Sequence, residues 1–216
     1  MASTIMHIAV AEELYKKIKT KLDINYYDYI LGSIAPDLSK LLNAARDNSH
    51  FLIPNTETID IDKFLNKYKT YLTNSFTLGY YIHLYTDKLF YEDYYPLFIK
   101  DNFLTSVVKT LDNEVLKMPK DERKQLLYND YTNLNISLIE QYNLNLDIFY
   151  NEYIKPITQI TEIPIDKLPL LIDNAGIIIQ RLKTKKDYIL DISSIKAFID
   201  DCTTELYSNL TSLNLI

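Results

Sequence analysis

Apolar residues recur at spacings of three and four from residue 3 to residue 212, and this period is that of an α-helix with one buried face. Only three glycines occur in the 216 residues, which leaves little of the turn chemistry that many-stranded folds need. A chain of this length is expected to form one domain. The sequence therefore predicts an all-α fold, a single multi-helix bundle over residues 1–216 without a significant sheet.

The ends of the predicted helices are marked by capping residues and prolines. A second short helix, residues 26–31, is expected to end near Gly32, and Pro36 then places Asp37 in a loop. Other helices are predicted to begin at Ser3 or Thr4, at Asp60 or Asp62 and at Asn74 or Ser75, and to span about 102–117, 121–142, 147–155, 166–183 and 192–212.

The charge and cysteine content limit the classes of partner and compartment. The formal net charge of -6 provides no overall basic excess that would attract nucleic acid or anionic lipid, although a local basic groove remains open. Cys202 is the only cysteine, so no intramolecular disulfide can form. The sequence has neither a secretory leader nor an 18-residue apolar run. We therefore expect a cytoplasmic protein without a transmembrane segment or a specific nucleic-acid partner.

His83 and Asp87 form the clearest chemical motif. They lie four residues apart in a predicted helix, so their side chains project from the same side with about 5–6 Å between Cβ atoms. An imidazole nitrogen together with a carboxylate oxygen suits zinc, manganese or iron better than calcium or magnesium. A buried hydrogen-bonded pair without a metal is the alternative interpretation.

Three further residues have positions from which they can join this pair. His7 shares the inward face of the first helix, His50 lies between helical segments, and Asp37 follows a proline in a rigid turn. Each of them alone is also explained as a buried polar group or a helix cap. Together the five residues predict a site for one or two transition-metal ions.

The stretches around these residues read HIA at 7–9, GSIAPD at 32–37, SHF at 49–51 and LGYYIHLYTD at 78–87. This pattern resembles the zinc-dependent phospholipase C family over roughly the first 90 residues. The family's all-helical fold is shared with the single-strand-specific zinc nucleases, and it uses a cluster of metal ions to hydrolyse phosphate esters. The resemblance implies a metal-dependent phosphoester hydrolase that binds one or two zinc ions, with manganese or iron as alternatives.

Carried over to this chain, the family pattern implies one ion held by Asp37, His50, His83 and Asp87. Asp87 would also reach toward a second ion, which His7 would bind. Two cations about 3.5–4 Å apart activate a bridging water for in-line attack and offset the charge on the phosphate oxygens. The implied catalytic residues are Asp37 and Asp87.

The chain also departs from the family pattern. Members with a full three-metal site have a further pair of histidines and a glutamate after the His-x-x-x-Asp helix, but no histidine follows His83. In secreted members the first mature residue, a tryptophan, supplies its amino and carbonyl groups to a metal, whereas His7 lies behind six residues. These departures keep open a second hypothesis, a catalytically silent helical protein with a structural metal site. A metal phosphohydrolase of the HD type would need a His-Asp dipeptide, which does not occur.

Two residues near the motifs are candidate substrate contacts. Arg46, four residues before His50, can bind a phosphate through its planar fork of donors. Tyr81 flanks the metal helix, and its ring can line a pocket. An ordinary surface arginine is the alternative for Arg46, and core packing is the alternative for the neighbouring Tyr80. The expected substrate is a small-molecule or lipid-like phosphoester, either a phosphodiester or a phosphomonoester.

Overall fold

The structure is a computed structural model that describes residues 2–179 and 186–216. The chain is mostly α-helical within these ranges, as predicted. Its α-helices are α1 (Thr4–Ile18), α2 (Tyr26–Ile34), α3 (Leu38–Leu41), α4 (Arg46–Ser49), α5 (Ile61–Tyr68), α6 (Ser75–Leu89), α7 (Lys120–Tyr142), α8 (Leu168–Ile179) and α9 (Ile192–Ser212). A small antiparallel sheet has the order β1 (Ile99–Asp101), β2 (Thr105–Lys109) and β3 (Val115–Pro119).

Helix α1 lies at the centre of the bundle and contacts α2, α6, α7 and α9. Its residues from Ile5 to Ala11 are all buried, including the polar His7. A helix that is buried on every side belongs to the core rather than to the surface. The first helix therefore brings His7 into the interior of the molecule.

Local sequence sets the helix starts as predicted. Ser3 for α1, Asp60 for α5 and Asn74 for α6 each accept a hydrogen bond from a backbone N–H three residues further on, which satisfies one of the free donors of the first turn. Helix α2 differs from the prediction because it continues through Gly32 to Ile34. The chain then forms a 3-10 turn, Ala35–Asp37, which contains Pro36 and ends at Asp37.

Helices α2 and α6 pack with their backbones in direct contact. A Cβ atom at Gly32 would lie 2.2 Å from the carbonyl oxygen of Phe76, and one at Gly79 would lie 2.1 Å from that of Tyr29. No side chain fits at either position. The two glycines therefore allow α6, which carries His83, to approach α2 more closely than larger residues would permit.

The predicted helix at about 102–117 is wrong, because residues 99–119 contain the three strands. Ser106 and Val108 are buried while the lysine after them is exposed, and this alternation has the period of two that a half-buried strand shows. Asn113 lies in the turn between β2 and β3 with a φ of 63°, a conformation that asparagine adopts more readily than most residues. The scarcity of glycine therefore did not exclude a small sheet.

The predicted helix at 147–155 is also wrong. Only a 3-10 turn, Asp147–Phe149, forms there. The apolar residues Tyr150 and Ile154 that follow are 71% and 66% exposed, so the apolar stripe of such a helix would have no partner surface. Helical stability comes mainly from packing of that stripe.

The remaining helix predictions agree with the structure. Residues 121–142 and 192–212 correspond to α7 and α9, and the predicted helix 166–183 corresponds to α8 as far as Ile179. Residues 180–183 of that prediction lie outside the described residues. Among the helices that the structure describes, none has the length and apolar character needed to cross a membrane.

Candidate metal centre

The structure brings the five predicted ligand residues into one buried cluster. His7 comes from α1, Asp37 from the 3-10 turn after α2, His50 from the residue that ends α4, and His83 and Asp87 from α6. None of the five is more than 5% exposed. Segments that are far apart in the sequence therefore meet at one point in the interior.

The backbone of α2 orients the ring of His83. Its Nδ1 atom lies 2.9 Å from the carbonyl oxygen of Ser33, and a carbonyl oxygen can only accept a hydrogen bond. Nδ1 must therefore carry the proton, which leaves a lone pair on Nε2. Burial, with the adjacent His7 as a further cause, holds the pKa of His83 well below its usual value. The imidazole is therefore neutral.

A chain of hydroxyl groups orients His50 in the same way. Its Nδ1 atom lies 2.9 Å from Ser49 Oγ, Ser49 Oγ donates to Ser39 Oγ at 3.0 Å, and Ser39 Oγ donates to the carbonyl of Pro36 at 3.1 Å. Since each hydroxyl donates onward, Nδ1 of His50 donates to Ser49. The lone pair is again on Nε2, and burial lowers the pKa of His50.

The two lone pairs point toward each other and toward a carboxylate. His50 Nε2 lies 3.4 Å from His83 Nε2 and 3.5 Å from Asp37 Oδ1. Three electron-rich atoms at this spacing repel one another unless a cation lies between them. Ligand atoms arranged tetrahedrally at 2.0–2.1 Å from zinc would be separated by about 3.3–3.4 Å. The observed spacing therefore fits a zinc-sized ion.

A second group shares His83 with the first. The candidate ligand atoms of His7, His83 and Asp87 all lie within 4.8 Å of one another, as do those of Asp37, His50 and His83. His7 Nε2 is 3.4 Å from Asp87 Oδ1, and the His7 ring stacks on that of His83 with 3.8 Å between centroids. Asp87 Oδ2 is 3.8 Å from His50 Nε2 and 3.9 Å from His83 Nε2, so Asp87 faces both groups.

Several polar atoms of the cluster lack hydrogen bonds. Both ring nitrogens of His7 and the Oδ2 atom of Asp87 are buried without a hydrogen-bond partner. Burying such groups without partners costs several kcal/mol each. A divalent cation would satisfy one ring nitrogen of His7 and the Oδ2 atom of Asp87, and imidazole nitrogens with carboxylate oxygens are ligands that zinc accepts.

Both carboxylates are held in the ionised form. Burial raises the pKa of Asp37, but Lys40, whose Nζ lies 3.1 Å away, and His50 lower it more, so the pKa ends well below its usual value. Burial likewise raises the pKa of Asp87, and the contact with His7 helps to lower it below the usual range. The backbone N–H of Ala2 also donates to Asp87 Oδ1 at 2.9 Å. Two buried negative charges thus face three imidazole rings.

Arg46 connects this cluster to a cavity at the surface. Its Nη2 atom is 3.6 Å from Asp87 Oδ2, while Nη1 donates to Glu57 Oε2 at 2.9 Å. Glu57 lines a cavity of about 270 Å³ together with Tyr91, Tyr95 and Asp101. The guanidinium group therefore lies between the candidate metal ligands and a space that a small ligand can enter.

Tyr81 is not brought to the cluster. It is fully buried, and its hydroxyl donates to Asn209 Oδ1 on α9. Its ring packs against Phe64 and Tyr85. These contacts are those of a packed core residue.

Sequence reasoning missed the groups that orient the two histidines. The carbonyl of Ser33 and the hydroxyls of Ser39 and Ser49 produce no recognisable pattern, because their role depends on which segments meet in space. The contact of Lys40 with Asp37 could have been predicted from the sequence. Lys40 follows Asp37 by three residues, and side chains at that helical spacing are neighbours.

A buried cluster of three histidines and two aspartates in a mostly α-helical chain defines a candidate metal-binding protein. Residues 6–89 match the family model described as zinc dependent phospholipase C. The matched region is less than half of the chain, and it contains all five residues of the cluster. The resemblance stated from the sequence is thereby confirmed over these residues. No curated protein and no solved structure is a significant match to the chain.

Proposed function

We propose that this chain is a metal-dependent hydrolase of phosphate esters. The observation that carries the proposal is the convergence of two neutral imidazole lone pairs and a carboxylate oxygen, from His50, His83 and Asp37, at the spacing of zinc ligands. The match to a zinc-dependent phospholipase C family model over the same residues supports zinc as the metal and a phosphoester as the substrate. Manganese or iron would fit the same donor atoms.

The ligand groups suggest how one or two ions are held. Asp37, His50 and His83 would hold the first ion, with Asp87 Oδ2 directed toward it. Asp87 Oδ1 and His7 Nε2, which are 3.4 Å apart, would hold a second ion. The second group has fewer protein ligands of its own, so the second ion would be the weaker one.

The residues of the cluster have distinct tasks in hydrolysis. A bound divalent cation supplies positive charge that polarises the phosphate ester and makes a nearby water easier to deprotonate. Asp37 and Asp87 would orient that water through carboxylate oxygens that remain ionised. Arg46 would turn from Glu57 toward a phosphate oxygen and fix the ester through its planar fork of donors.

The substrate is proposed to be a small or lipid-like phosphoester. The cavity of about 270 Å³ beside Arg46 and Tyr91 can take a phosphate and part of the group attached to it. A phosphodiester and a phosphomonoester both fit this description.

One observation favours a second candidate function, a structural metal site without catalysis. His50, His83 and Asp87 are all 0% exposed, and an ion closed by four protein ligands leaves no position for substrate. The position of Arg46 between the cluster and the cavity favours hydrolysis instead. A structural metal site does not require an arginine that can bind a phosphate.

Metal analysis and a phosphoester panel separate these functions. We expect stoichiometric zinc, manganese or iron in the purified protein by mass spectrometry, and hydrolysis of p-nitrophenyl phosphate or bis-p-nitrophenyl phosphate that a chelator abolishes. The His83→Ala variant, purified identically, controls for contaminating phosphatases. Stoichiometric metal with no hydrolysis of any ester would favour the structural function. No metal, even after reconstitution, would contradict both.

A further inference from the structure

The antiparallel sheet exposes large apolar side chains that the candidate metal centre does not use. Phe103 and Leu104 occupy the turn between β1 and β2, where they are 92% and 74% exposed. Val115, at the start of β3, is 69% exposed. We call residues 102–104 the hairpin tip. Two adjacent, almost fully exposed large apolar residues are costly in water unless another surface covers them.

One face of the same sheet carries only basic and uncharged residues. The strand register places Lys100, Val107 and Lys117 side by side across the three strands, and places Lys109 opposite Val115 on the same face. The only acidic residue in the strands, Asp101, pairs with Ser106 on the opposite face. We call the face with Lys100, Lys109 and Lys117 the basic face. Among the described residues, none of these three lysines forms an ion pair.

The basic face contrasts in charge with the whole chain, whose formal net charge is -6. Lysines at a surface attract anionic lipid headgroups over a distance of about a Debye length. Exposed aromatic and aliphatic residues beside them can enter the boundary between headgroups and acyl chains. The basic face thus matches the headgroups of an anionic lipid surface, and the apolar hairpin tip matches the boundary between headgroups and acyl chains.

The hairpin tip also lies next to the cavity that Glu57 lines. Asp101, the residue before the tip, lines the cavity that Glu57 shares, and Glu57 binds Arg46. A surface that covers the tip would therefore lie beside the mouth of this cavity.

We propose that the hairpin tip and the basic face dock the protein onto lipid surfaces that contain anionic phospholipid. Phe103 and Leu104 enter the interface, and Lys100, Lys109 and Lys117 contact the headgroups. The docking does not depend on the metal. A lipid of the docked surface would also be the phosphoester substrate, and this part of the proposal rests on the function proposed above. The sheet lies outside the matched residues 6–89, so the family resemblance does not imply this surface.

Co-sedimentation of the full chain with vesicles tests the docking. We expect binding to equimolar phosphatidylcholine and phosphatidylglycerol, weaker binding to phosphatidylcholine alone, and weakening by added salt. The double variant Phe103→Ser, Leu104→Ser should lower the partition coefficient at least about tenfold. The matched control Ile157→Ser, at a residue that is 84% exposed elsewhere on the surface, should bind as the unmodified chain does.

A second pair of variants tests the basic face. Lys100→Gln with Lys117→Gln should weaken binding to the anionic vesicles and leave binding to phosphatidylcholine unchanged. Lys17→Gln with Lys196→Gln, at two exposed lysines on α1 and α9, serves as the control and should change neither. Circular dichroism of each variant shows whether it is folded.

Three results would overturn the proposal. The first is no binding of the unmodified chain to anionic vesicles, and the second is equal binding by the folded tip variant. The third is a concentration-dependent dimer in analytical ultracentrifugation that the tip variant abolishes, because a second copy would then cover the tip. Sedimentation with vesicles reports binding whether or not lipid is hydrolysed. Failure of docking is therefore distinguishable from failure of the proposed hydrolysis.

Discussion

His83 belongs to both groups of candidate metal ligands. Its orientation is fixed from outside the cluster by the carbonyl of Ser33. His7 belongs only to the second group and lacks hydrogen bonds on both ring nitrogens. The two histidines are therefore expected to differ in how much metal the protein retains when each is removed.

We predict that His83→Ala loses both ions, whereas His7→Ala keeps about one and hydrolyses phosphoester more slowly. The reason is that His83 is a pre-organised ligand of the first ion, and loss of that ion would also leave Asp87, which the weaker second ion shares, without its partner, whereas His7 serves only the second ion. Mass-spectrometric metal content per chain is the measurement, with Asp200→Asn on the exposed face of α9 as a control that retains all metal. Equal metal in the two histidine variants would show that the proposed ligand groups are incorrect.

Arg46 is predicted to act on substrate rather than on metal. Arg46→Gln should keep the metal and lower kcat/KM for the best phosphoester roughly 10- to 100-fold, since a charge-assisted hydrogen bond contributes about 1.5–3 kcal/mol. Arg46→Lys should recover only part of this loss because a lysine lacks the planar fork. Glu57→Gln, which removes only the outer partner, is the control. Unchanged kcat/KM in a metal-loaded Arg46→Gln protein would contradict the assignment.

At the scale of elements, the contact between α2 and α6 holds the site in place. Gly32 and Gly79 allow the two backbones to touch, and this contact brings the Ser33 carbonyl within 2.9 Å of His83 Nδ1. The third glycine, Gly176 in α8, has no atom within 4 Å of where a Cβ would lie. The three glycines thus differ in their structural roles.

Alanine at these glycines should have opposite effects. Gly79→Ala is predicted to lower the free energy of unfolding by about 3 kcal/mol or more, because the helices must separate, and to reduce metal retention. Gly176→Ala should be neutral or stabilise by up to about 1 kcal/mol, because alanine has the higher helix propensity. Urea unfolding monitored by circular dichroism measures both. Similar effects at the two positions would contradict the backbone contact.

A second element-scale contact joins α7 to the segment before α9. The Asp130 carboxylate is buried and accepts hydrogen bonds from the backbone N–H groups of residues 188–190, at 2.9, 2.7 and 3.0 Å. Asp130→Asn would turn an amide NH₂ toward these donors, so we predict a loss of about 2–4 kcal/mol in unfolding free energy. Asp200→Asn, on the exposed face of α9, is the matched control. A loss below about 0.5 kcal/mol would count against this contact.

At the scale of the whole molecule, the candidate site joins α1, α4, α6 and the turn after α2. An ion that binds only the folded chain stabilises it by about 4 kcal/mol when free metal is a thousandfold above Kd. For a chain of this size, 1 kcal/mol corresponds to roughly 2–4 °C in Tm. We therefore predict that zinc raises Tm by roughly 8–16 °C relative to chelator-treated protein.

Differential scanning calorimetry with zinc, with chelator and with magnesium tests this prediction. Magnesium should have little effect because it prefers oxygen ligands and octahedral geometry. An identical Tm with zinc and with chelator would indicate that no ion couples these segments.

The sequence by itself determined the helix starts and the identity of the candidate ligands. Caps such as Ser3, Asp60 and Asn74 act on backbone groups within three residues, so they are visible in a short stretch of sequence. His83 and Asp87 lie on one helix, and their spacing alone puts them on the same side. The positions of His7, Asp37 and His50 added them to the set, and the resemblance implied the same residues.

The tertiary structure alone decided where apolar segments find partners and how the ligands are oriented. Residues 99–119 form strands, with Asn113 at a positive φ in the turn between β2 and β3. No helix formed after Phe149 because its apolar side would have faced water. The direction of the His50 and His83 lone pairs depends on Ser49 and Ser33. Such contacts depend on the packing of segments distant in sequence, which a local pattern does not specify.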